Sequence, residues 1–298
     1  MKVSILGRGS STIPVTSAIC YLDLVSEVTL IDDGVWLHRD VLQDLQQALA
    51  ISGSDTRLCA VKELSALEDS QIVVILLHSS RPVLRSLQAQ CRVNSALARD
   101  FAQSIKQYAP TARIIVAMPP ACSLACCVYR ELEAEASQVI GLSGVTANAY
   151  LKTQIANQLG VSVQDVTTLA IGNDDVIYPL PQYCRVNGIP LDLLSSPERI
   201  RELTDAVNDE HKKSINIDAP YSLSVGISQI VTAIALDKKR VMSVGSLIES
   251  NSTRIFLNVP TKIGRNGAES ILRLDLTDSQ RKQFTQLVAK SVAEQPSF

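Results

Sequence analysis

The feature that most constrains the fold is an uninterrupted apolar run, Ile72–Leu77. A strand with apolar side chains on both faces belongs inside a parallel sheet that helices cover on both sides. Other short β-branched or apolar runs predict strands at Lys2–Leu6, Glu27–Ile31, Arg57–Cys59 and Arg113–Ala117. Stretches with apolar residues at helical spacing separate them, at Ile13–Leu24, His38–Ala50 and Val93–Tyr108. This alternation predicts a doubly wound α/β sheet over residues 1–145.

The pattern changes after residue 145, where helices and strands no longer alternate regularly. Helices are predicted at Ala149–Leu159, Pro197–Asn208, Ser222–Leu236 and Thr277–Ala293. Strands are predicted at Thr168–Ile171, Tyr183–Val186, Arg254–Val259 and Ser270–Leu274. No linker rich in proline or glycine separates the two parts, so we expect a mixed α/β domain over residues 146–298, packed against the first.

Composition indicates a globular protein and excludes several classes. Hydrophobic residues make up 46% of the chain and charged residues 19%, which is enough to fill a large core. The net charge of -2 gives no basic surface for nucleic acid or a membrane. Seven cysteines, an odd number, are typical of a reducing compartment, and we expect a cytoplasmic protein. Cys122, Cys126 and Cys127 have no second ligand pair at zinc spacing, so we expect buried thiols and no metal.

A glycine turn follows the first predicted strand and opens the first predicted helix. It contains Gly7, Gly9, Ser10 and Ser11, and Thr12 stands where a dinucleotide-binding turn has its third glycine. The start of the helix offers backbone N–H groups and the positive end of its dipole to a phosphate. These four residues before Thr12 are our candidates for cofactor binding, and the alternative is a turn that serves only the fold.

An acidic residue, Asp32, ends the second predicted strand about twenty residues further on. A carboxylate at this place hydrogen-bonds the ribose 2′-hydroxyl of NAD and would repel the 2′-phosphate of NADP. The sequence therefore predicts that any dinucleotide bound here is NAD.

Several stretches together resemble the lactate/malate dehydrogenase family, in particular its bacterial malate dehydrogenase branch. They are MKVSILGRG, EVTLIDD, NSALARDFAQSIKQYAP, VIGLSGV, VNGIPL and NVPTKIGRNGAESILRLDLTDSQ. The resemblance covers nearly the whole chain in one order. It implies a Rossmann-type domain, a lactate/malate dehydrogenase-like C-terminal domain, a site where the two meet, and a homo-oligomer, either dimer or tetramer.

The same resemblance implies that the residues of hydroxy-acid oxidation have been replaced. The family's proton-accepting histidine falls on Asn173, its orienting aspartate on Ala147 and its carboxylate-binding arginine on Tyr150. Its Asn-Pro pair has become Pro119-Pro120. An asparagine amide cannot exchange a proton near neutral pH, and losing the acceptor alone costs ~10²–10⁴ in rate. Oxidation of lactate or malate is therefore not expected.

Some residues near the replaced positions could support a different chemistry. His78 follows the central strand, where an imidazole would lie near a nicotinamide, or it only hydrogen-bonds at the strand end. Asp174 adjoins Asn173 and could hold a cationic or hydroxyl-rich ligand. Arg81 and Arg85 are the arginine candidates of a shortened substrate loop. With Tyr150 and Asn173, His78 and Asp174 are the candidate catalytic residues, and the more distant His211 is expected at the surface.

Two functional hypotheses follow. In the first, the protein keeps the fold, with or without NAD binding, but acts without catalysis as a binding, regulatory or scaffold protein with a protein or peptide partner. In the second, it is an active NAD-dependent oxidoreductase whose alcohol or amine substrate is neutral or cationic. Asp32 and the two glycines favour the second, whereas Thr12 in place of a glycine favours the first.

Overall fold

The computed structural model describes residues 1–32, 39–77, 87–214, 219–250 and 253–293. Its strands are β1 (Lys2–Arg8), β2 (Glu27–Ile31), β3 (Arg57–Val61), β4 (Ile72–Leu77), β5 (Arg113–Val116), β6 (Val139–Gly141), β7 (Val166–Thr167), β8 (Ala170–Gly172), β9 (Ile177–Pro179), β10 (Arg185–Val186), β11 (Ile189–Pro190), β12 (Arg240–Ser250), β13 (Thr253–Gly264) and β14 (Gly267–Ile271). Its helices are α1 (Thr12–Cys20), α2 (Arg39–Ser52), α3 (Leu87–Tyr108), α4 (Ala121–Leu132), α5 (Gly144–Leu159), α6 (Leu191–Leu194), α7 (Pro197–Ser214), α8 (Pro220–Ala235) and α9 (Asp278–Ala293).

The first part of the chain forms the predicted doubly wound parallel sheet. Its strands run in the order β3-β2-β1-β4-β5-β6, and the neighbouring pairs among them are parallel. Adjacent residues of β1 enter different hydrophobic clusters, since Ile5 packs with α1 and α8 while Leu6 packs with α3 and α4. Both faces of the strand are therefore buried, and the order reverses between β1 and β4.

The second part of the chain extends the same sheet with antiparallel strands. The hairpin of β12 and β13 joins β6 through one residue pair, Gly141 with Gly245, and β13 pairs on with β8 and β14. A separate small sheet contains β7, β10 and β11. A boundary between residues 145 and 146 would fall in the first turn of α5 and stays a prediction.

The sequence pattern does not predict β12, and its composition explains why. The buried residues 242–246 of this strand alternate apolar Met242 and Val244 with Ser243, Gly245 and Ser246, so they do not form an apolar run. Tertiary hydrogen bonds satisfy the two serines: Ser243 Oγ donates to the carbonyl of Ala170 at 2.8 Å, and Ser246 Oγ bonds Thr261 Oγ1 at 2.7 Å. Partners from distant segments make the strand stable.

The first helices differ from their predicted bounds at the ends. The predicted helix Ile13–Leu24 ends at Cys20, because the chain turns there and Asp23 adopts a positive φ of 52°. Helix α3 begins at Leu87, six residues before the predicted Val93. The predicted start of α2 at His38 lies outside the described residues. Among the helices described, none has both the length and the apolar character needed to cross a bilayer.

Candidate functional site

The candidate cofactor site lies where parallel strands end together. The register pairs Leu6 with Ile31 and Arg8 with Leu77, so β1, β2 and β4 reach the same edge of the sheet. In open parallel α/β sheets, ligands bind beyond the carboxyl ends of the strands at the point where the strand order reverses. The glycine turn and Asp32 both lie at this edge.

The backbone of the glycine turn leaves no space for a side chain at Gly7. A Cβ at Gly7 would lie 2.1 Å from the carbonyl oxygen of Leu76 in the neighbouring strand. Gly9 adopts a φ of 118°, which L-residues with side chains rarely reach. The turn closes when the amide of Thr12 donates to the carbonyl of Gly9 at 3.2 Å. Both glycines are therefore required by the local geometry.

The helix after the turn starts with neutral residues. Ser11 is the N-cap residue, yet its side chain makes no capping hydrogen bond, and the first turn of α1 contains no acidic residue. Ser10 is exposed, whereas Ser11 and Thr12 are buried. Thr12, at the third-glycine position, is only 3% exposed, and its hydroxyl has no hydrogen-bond partner among the described residues. This helix N-terminus presents no negative charge to a phosphate.

Asp32 lies at the carboxyl end of β2, one residue beyond Ile31. Its backbone amide donates to the carbonyl of Val61 at 3.1 Å, and the residue is only 5% exposed. This bond fixes the main chain of Asp32 at the edge of the sheet where the glycine turn also lies. The structure therefore brings Asp32 and the candidate cofactor residues Gly7, Gly9, Ser10 and Ser11 to one edge of the sheet.

On the substrate side, the loop after β8 is held by the amide of Asn173. Its Oδ1 accepts hydrogen bonds from the backbone N–H groups of Asp175 at 2.9 Å and Val176 at 2.8 Å. Its Nδ2 donates to Ser291 Oγ on α9 at 2.9 Å. The neighbouring Asp175 pairs with Lys290 of the same helix at 2.5 Å. Both ends of the Asn173 side chain are therefore engaged in holding the loop against α9.

Asp174 binds the N-terminus of helix α4. Its Oδ1 accepts from the backbone N–H of Cys122 at 2.9 Å, and its Oδ2 accepts from the N–H and Oγ of Ser123 at 2.9 and 3.0 Å. A carboxylate at this end of a helix satisfies N–H groups that lack a partner within the helix and also interacts favourably with the dipole. Burial raises the pKa of Asp174, and these hydrogen bonds oppose the rise.

The expected surface position of His211 is wrong. This histidine, in the last turn of α7, is only 6% exposed, and its Nε2 lies 3.2 Å from the carbonyl oxygen of Asn173. Burial lowers the pKa of His211, which the charge of Asp174 partly opposes. The helical pattern of α7 alone could not show that the loop from β8 covers this side chain.

Ala147 and Tyr150, the positions implied for the family's aspartate and arginine, both lie on α5. Ala147 is buried in an apolar cluster with Leu151 and Ile155, and the partly buried Tyr150 packs against this cluster. Neither side chain carries a charge that could orient a histidine or bind a carboxylate. Tyr150 therefore shares a packing role with its neighbours on the helix.

A small cavity lies between α3, α4 and the Asn173 loop. Its volume is about 60 Å³, and Asn173, Asp174, Cys91, Cys122 and Ser123 contribute to its lining. Burial raises the pKa of the Cys122 thiol well above its usual value, and the Asp174 charge adds to the rise. The cysteines of α4 are buried as expected. Within the described ranges, no cluster of histidine, cysteine, aspartate or glutamate residues is suited to hold a metal ion.

Three predicted candidates, His78, Arg81 and Arg85, lie outside the described residues. The proline pair lies beside helix α3. The carbonyl oxygen of Pro119 accepts a hydrogen bond from Asn94 Nδ2 at 2.8 Å, and the peptide bond between Pro119 and Pro120 is cis. The proline pair thus connects β5 to the start of α4, next to the cavity.

Sequence reasoning missed the residue that joins these segments, Asn258. This fully buried side chain accepts hydrogen bonds from the backbone N–H of Gly144 at 2.9 Å and from Ser143 Oγ at 3.0 Å, and its Nδ2 points to the carbonyl of Asn173 at 3.5 Å. A Cβ at Gly144 would lie 2.6 Å from the carbonyl of Ser243, so the start of α5 is tightly packed. One signal was available: Asn258 interrupts the apolar run of β13.

The reversed strand order and the glycine turn define a Rossmann-type α/β protein. A family model described as the lactate/malate dehydrogenase α/β C-terminal domain matches residues 148–294. The malate dehydrogenase of Bacillus subtilis (strain 168) is 30% identical over 297 residues, covering 96% of this chain and 95% of the relative. That of Rhodopirellula baltica is 30% identical over 293 residues, covering 95% and 92%. This chain belongs to the lactate/malate dehydrogenase family.

Solved structures of the family share the fold. The malate dehydrogenase from Aeropyrum pernix superimposes with a TM-score of 0.90 at 24% identity, covering 98% of this chain and 96% of that one. The lactate dehydrogenase from Cryptosporidium parvum, solved with lactic acid and nicotinamide adenine dinucleotide, gives a TM-score of 0.89 at 22% identity, covering 99% and 96%. The predicted combination of a Rossmann-type sheet and a lactate/malate dehydrogenase-like C-terminal domain is confirmed.

Proposed function

We propose that this chain is a degenerate member of its family: it binds NAD, does not oxidise lactate or malate, and acts as a non-catalytic binding, regulatory or scaffold protein. The observation that carries the proposal is the engagement of Asn173. This residue stands where the family resemblance implies the proton acceptor, and its amide holds the loop through Asp175, Val176 and Ser291. An amide there neither accepts nor donates a proton in the reaction.

No nearby histidine takes over this task in the described part of the chain. His211 contacts the loop, but its ring is buried and its Nε2 faces the carbonyl oxygen of Asn173. Proton transfer needs an acid or base within hydrogen-bond reach of the substrate. Asp174 has the right chemistry, yet both of its oxygens already accept hydrogen bonds from the start of α4. These contacts support a structural role for both residues.

At both positions where the resemblance implies a charged residue that orients the histidine or binds a hydroxy acid, the side chain is uncharged. Ala147 and Tyr150 belong to an apolar cluster, so neither can supply the carboxylate and the guanidinium that the resemblance implies at these positions. Three replacements on two separate segments, α5 and the loop after β8, act on the same reaction. Their combination supports loss of the chemistry more strongly than any one of them.

Retention of NAD binding is supported by the glycine turn and Asp32. Gly7 and Gly9 keep the backbone close to the neighbouring strand, the start of α1 carries no acidic side chain, and Asp32 is fixed at the end of β2. When bound, NAD would contribute its pyrophosphate to the helix start and its ribose to Asp32. The protein's own contribution at this edge is binding and orientation.

Calorimetric titration with NAD and NADH tests cofactor binding, with Asp32→Ala as the test variant. Asp55→Ala is a matched control, because Asp55 is an exposed carboxylate of the same sheet region, just before β3. The proposal expects micromolar binding that Asp32→Ala weakens by about tenfold or more and that Asp55→Ala leaves unchanged. Absence of binding at millimolar NAD and NADH would contradict the retained cofactor.

The second candidate function is an NAD-dependent oxidoreductase for a neutral or cationic alcohol or amine. It is favoured by the carboxylates of Asp174 and Asp175, which both line the cavity and would repel an anion. A screen of such alcohols and amines with NAD separates the two proposals. Turnover that is lost in Asp174→Asn would support the enzyme, and a silent screen with intact NAD binding would support the non-catalytic protein.

We also propose that the protein is cytoplasmic, which its seven free cysteines favour, and that it forms the homo-oligomer that the family resemblance implies. Large apolar side chains exposed on α8 and α2 support an interface, with Tyr221 79%, Val225 54% and Ile51 88% exposed. Sedimentation of the wild type and of Val225→Glu measures this. A dimer or tetramer that dissociates in the variant is expected, and a wild-type monomer at micromolar concentration would contradict it. A protein or peptide partner of the assembled protein remains part of the proposal.

A further inference from the structure

A second groove lies at the edge of the sheet opposite the glycine turn. It has a volume of about 870 Å³ and is formed where β1, β4 and β5 begin, at Met1, Gln71 and Arg113. The ends of α3 and α8 and the turn between β13 and β14 complete it, through Tyr108, Ile234 and Arg265. This volume lies in the range of sites that hold small molecules.

Two arginines line this groove, Arg113 at the start of β5 and Arg265 in the turn between β13 and β14. The partly buried Arg113 donates from one guanidinium nitrogen to the carbonyl of Thr111 at 2.7 Å and from the other to Asn266 Oδ1 at 3.4 Å. The second bond places its guanidinium beside the turn that carries the exposed Arg265. The groove also contains the N-terminal residue Met1, whose ammonium group donates to Ser26 Oγ.

Neither arginine forms an ion pair in the described part of the chain. Asp237 accepts a hydrogen bond from the backbone N–H of Arg265 at 2.6 Å, and the charge of Arg265 helps to lower the pKa of Asp237. Across the described ranges, neither guanidinium group has a carboxylate oxygen within 4.0 Å, and the acceptors of Arg113 are neutral. The nearby Lys239 differs, because it pairs with both Asp237 and Glu269. Among the described residues that line the groove, Asp69 is the one acid. Guanidinium groups in this state favour a phosphate or carboxylate ligand.

The walls of the groove add an apolar surface to this charge. Tyr108, Pro110 and Ile234 line it together with the arginines. An organic anion could place its charged group between the guanidinium groups and its apolar part against these side chains. An inorganic ion would fill only a small part of the volume.

We propose that this groove binds a small organic anion, a phosphate or carboxylate attached to an apolar body, independently of the dinucleotide edge. Arg113 and Arg265 bind the charged group, and the wall at Tyr108 contacts the apolar part. The site is separated from Asp32 and the glycine turn by the length of the parallel strands, since it lies at their amino ends.

Calorimetric titration of the full chain with phenyl phosphate tests this, with Arg265→Gln and Arg113→Gln as test variants. Arg201→Gln is the matched control, because Arg201 is exposed on α7 and does not line the groove. We expect saturable binding that each test variant weakens by about tenfold. The control and Asp32→Ala should leave it unchanged. Benzoate, titrated in parallel, distinguishes a carboxylate from a phosphate, and saturable binding of either probe with this dependence supports the site.

Three results would overturn the proposal: no saturable binding of phenyl phosphate or benzoate at millimolar concentration, equal weakening in the control, or equally tight binding of inorganic phosphate or phenol. Arg113→Gln removes two internal hydrogen bonds and could fail to fold. The exposed Arg265→Gln then decides alone, after a thermal melt shows that it is folded. Because the titration measures binding of phenyl phosphate or benzoate and not of NAD, its outcome does not depend on whether the protein binds NAD.

Discussion

The two sides of the candidate site use polar and backbone groups in different ways. At the glycine turn, the backbone is shaped tightly, yet the start of α1 has neutral residues and no side-chain cap. At the loop after β8, Asn173 and Asp174 are engaged with α9 and α4. The polar groups after β8 are used to join segments of the chain, whereas the glycine turn leaves the start of α1 without a side-chain cap. On the proposed function, one half of the family's site is kept for NAD while the other half has become part of the structure.

The largest expected effect concerns the glycine turn. Gly7→Ala places a Cβ 2.1 Å from the carbonyl of Leu76, a contact that central strands cannot relieve without moving. We expect a loss of about 3 kcal/mol or more in the free energy of unfolding, measured by urea denaturation. The control is Gly53→Ala, where φ is +75° but no atom lies within 4 Å of the added Cβ, so only about 1 kcal/mol is expected. Equal losses would show that the turn is not tightly constrained.

The next largest loss of stability is expected when Asp174 is replaced. Asp174→Ala leaves the N–H groups of Cys122 and Ser123 without their acceptor at the start of α4, and we expect a loss of about 2 kcal/mol in the free energy of unfolding. Asp175→Ala removes a partly exposed pair with Lys290 and should cost about 0.5 kcal/mol. If denaturation gave Asp174→Ala the smaller loss, the carboxylate would be available for a ligand, which favours the oxidoreductase.

A smaller effect is expected at Asn173. Asn173→Ala removes two hydrogen bonds to backbone N–H groups and one to Ser291, and we expect about 1–2 kcal/mol from urea denaturation. The matched change is Asn157→Ala on the exposed side of α5, which should lie within about 0.5 kcal/mol of the wild type. An Asn173→Ala protein as stable as the wild type would remove the structural explanation for this residue.

The smallest effect is a pH dependence. Burial lowers the pKa of His211 in the folded state, below its ordinary value of 6.5. The unfolded chain therefore binds this proton first, so the stability contributed by neutral His211 is complete above that value and is lost as the pH falls towards the folded pKa. The raised pKa of Asp174 acts in the opposite direction: stability from its protonated form is lost as the pH rises through the folded pKa.

Urea denaturation at about pH 7.5 and about pH 5.5 measures the His211 contribution. His211→Gln should lose less stability than the wild type over this interval, because it has no imidazole to protonate. Lys212→Gln, an exposed neighbour on α7, should follow the wild type. If the free energy of unfolding changed equally with pH in all three proteins, protonation of His211 would not contribute to the pH dependence of stability.

The sequence predicts the strands at Glu27–Ile31 and Ile72–Leu77 with the bounds that the structure has, because their apolar patterns act locally. It does not predict β12, whose buried serines need partners from β8 and β13. His211 and Asn258 show the same limit at the site. Their positions depend on a loop that arrives from a distant part of the chain, and no local period carries that information.

The family resemblance implies that Asn173 takes the place of the proton acceptor, yet it does not show which contacts the amide makes. One of these contacts is with Ser291, which lies 118 residues further along the chain. Similarly, Asp174 could be named as a candidate from its neighbour, but its bond to the start of α4 joins segments 52 residues apart. The sequence predicts which family residues are replaced, whereas the contacts that the new side chains make are known only from the structure.

The proposal that the protein binds NAD without oxidising lactate or malate is tested most directly by measuring NADH in one cuvette with the purified protein. NADH is first titrated to measure binding by its fluorescence, and oxaloacetate or pyruvate is then added while NADH absorbance is recorded. We predict saturable NADH binding in the micromolar range and no consumption of NADH beyond the protein-free rate. Steady consumption with either substrate would contradict the account, because an asparagine at the proton-acceptor position would then be compatible with turnover.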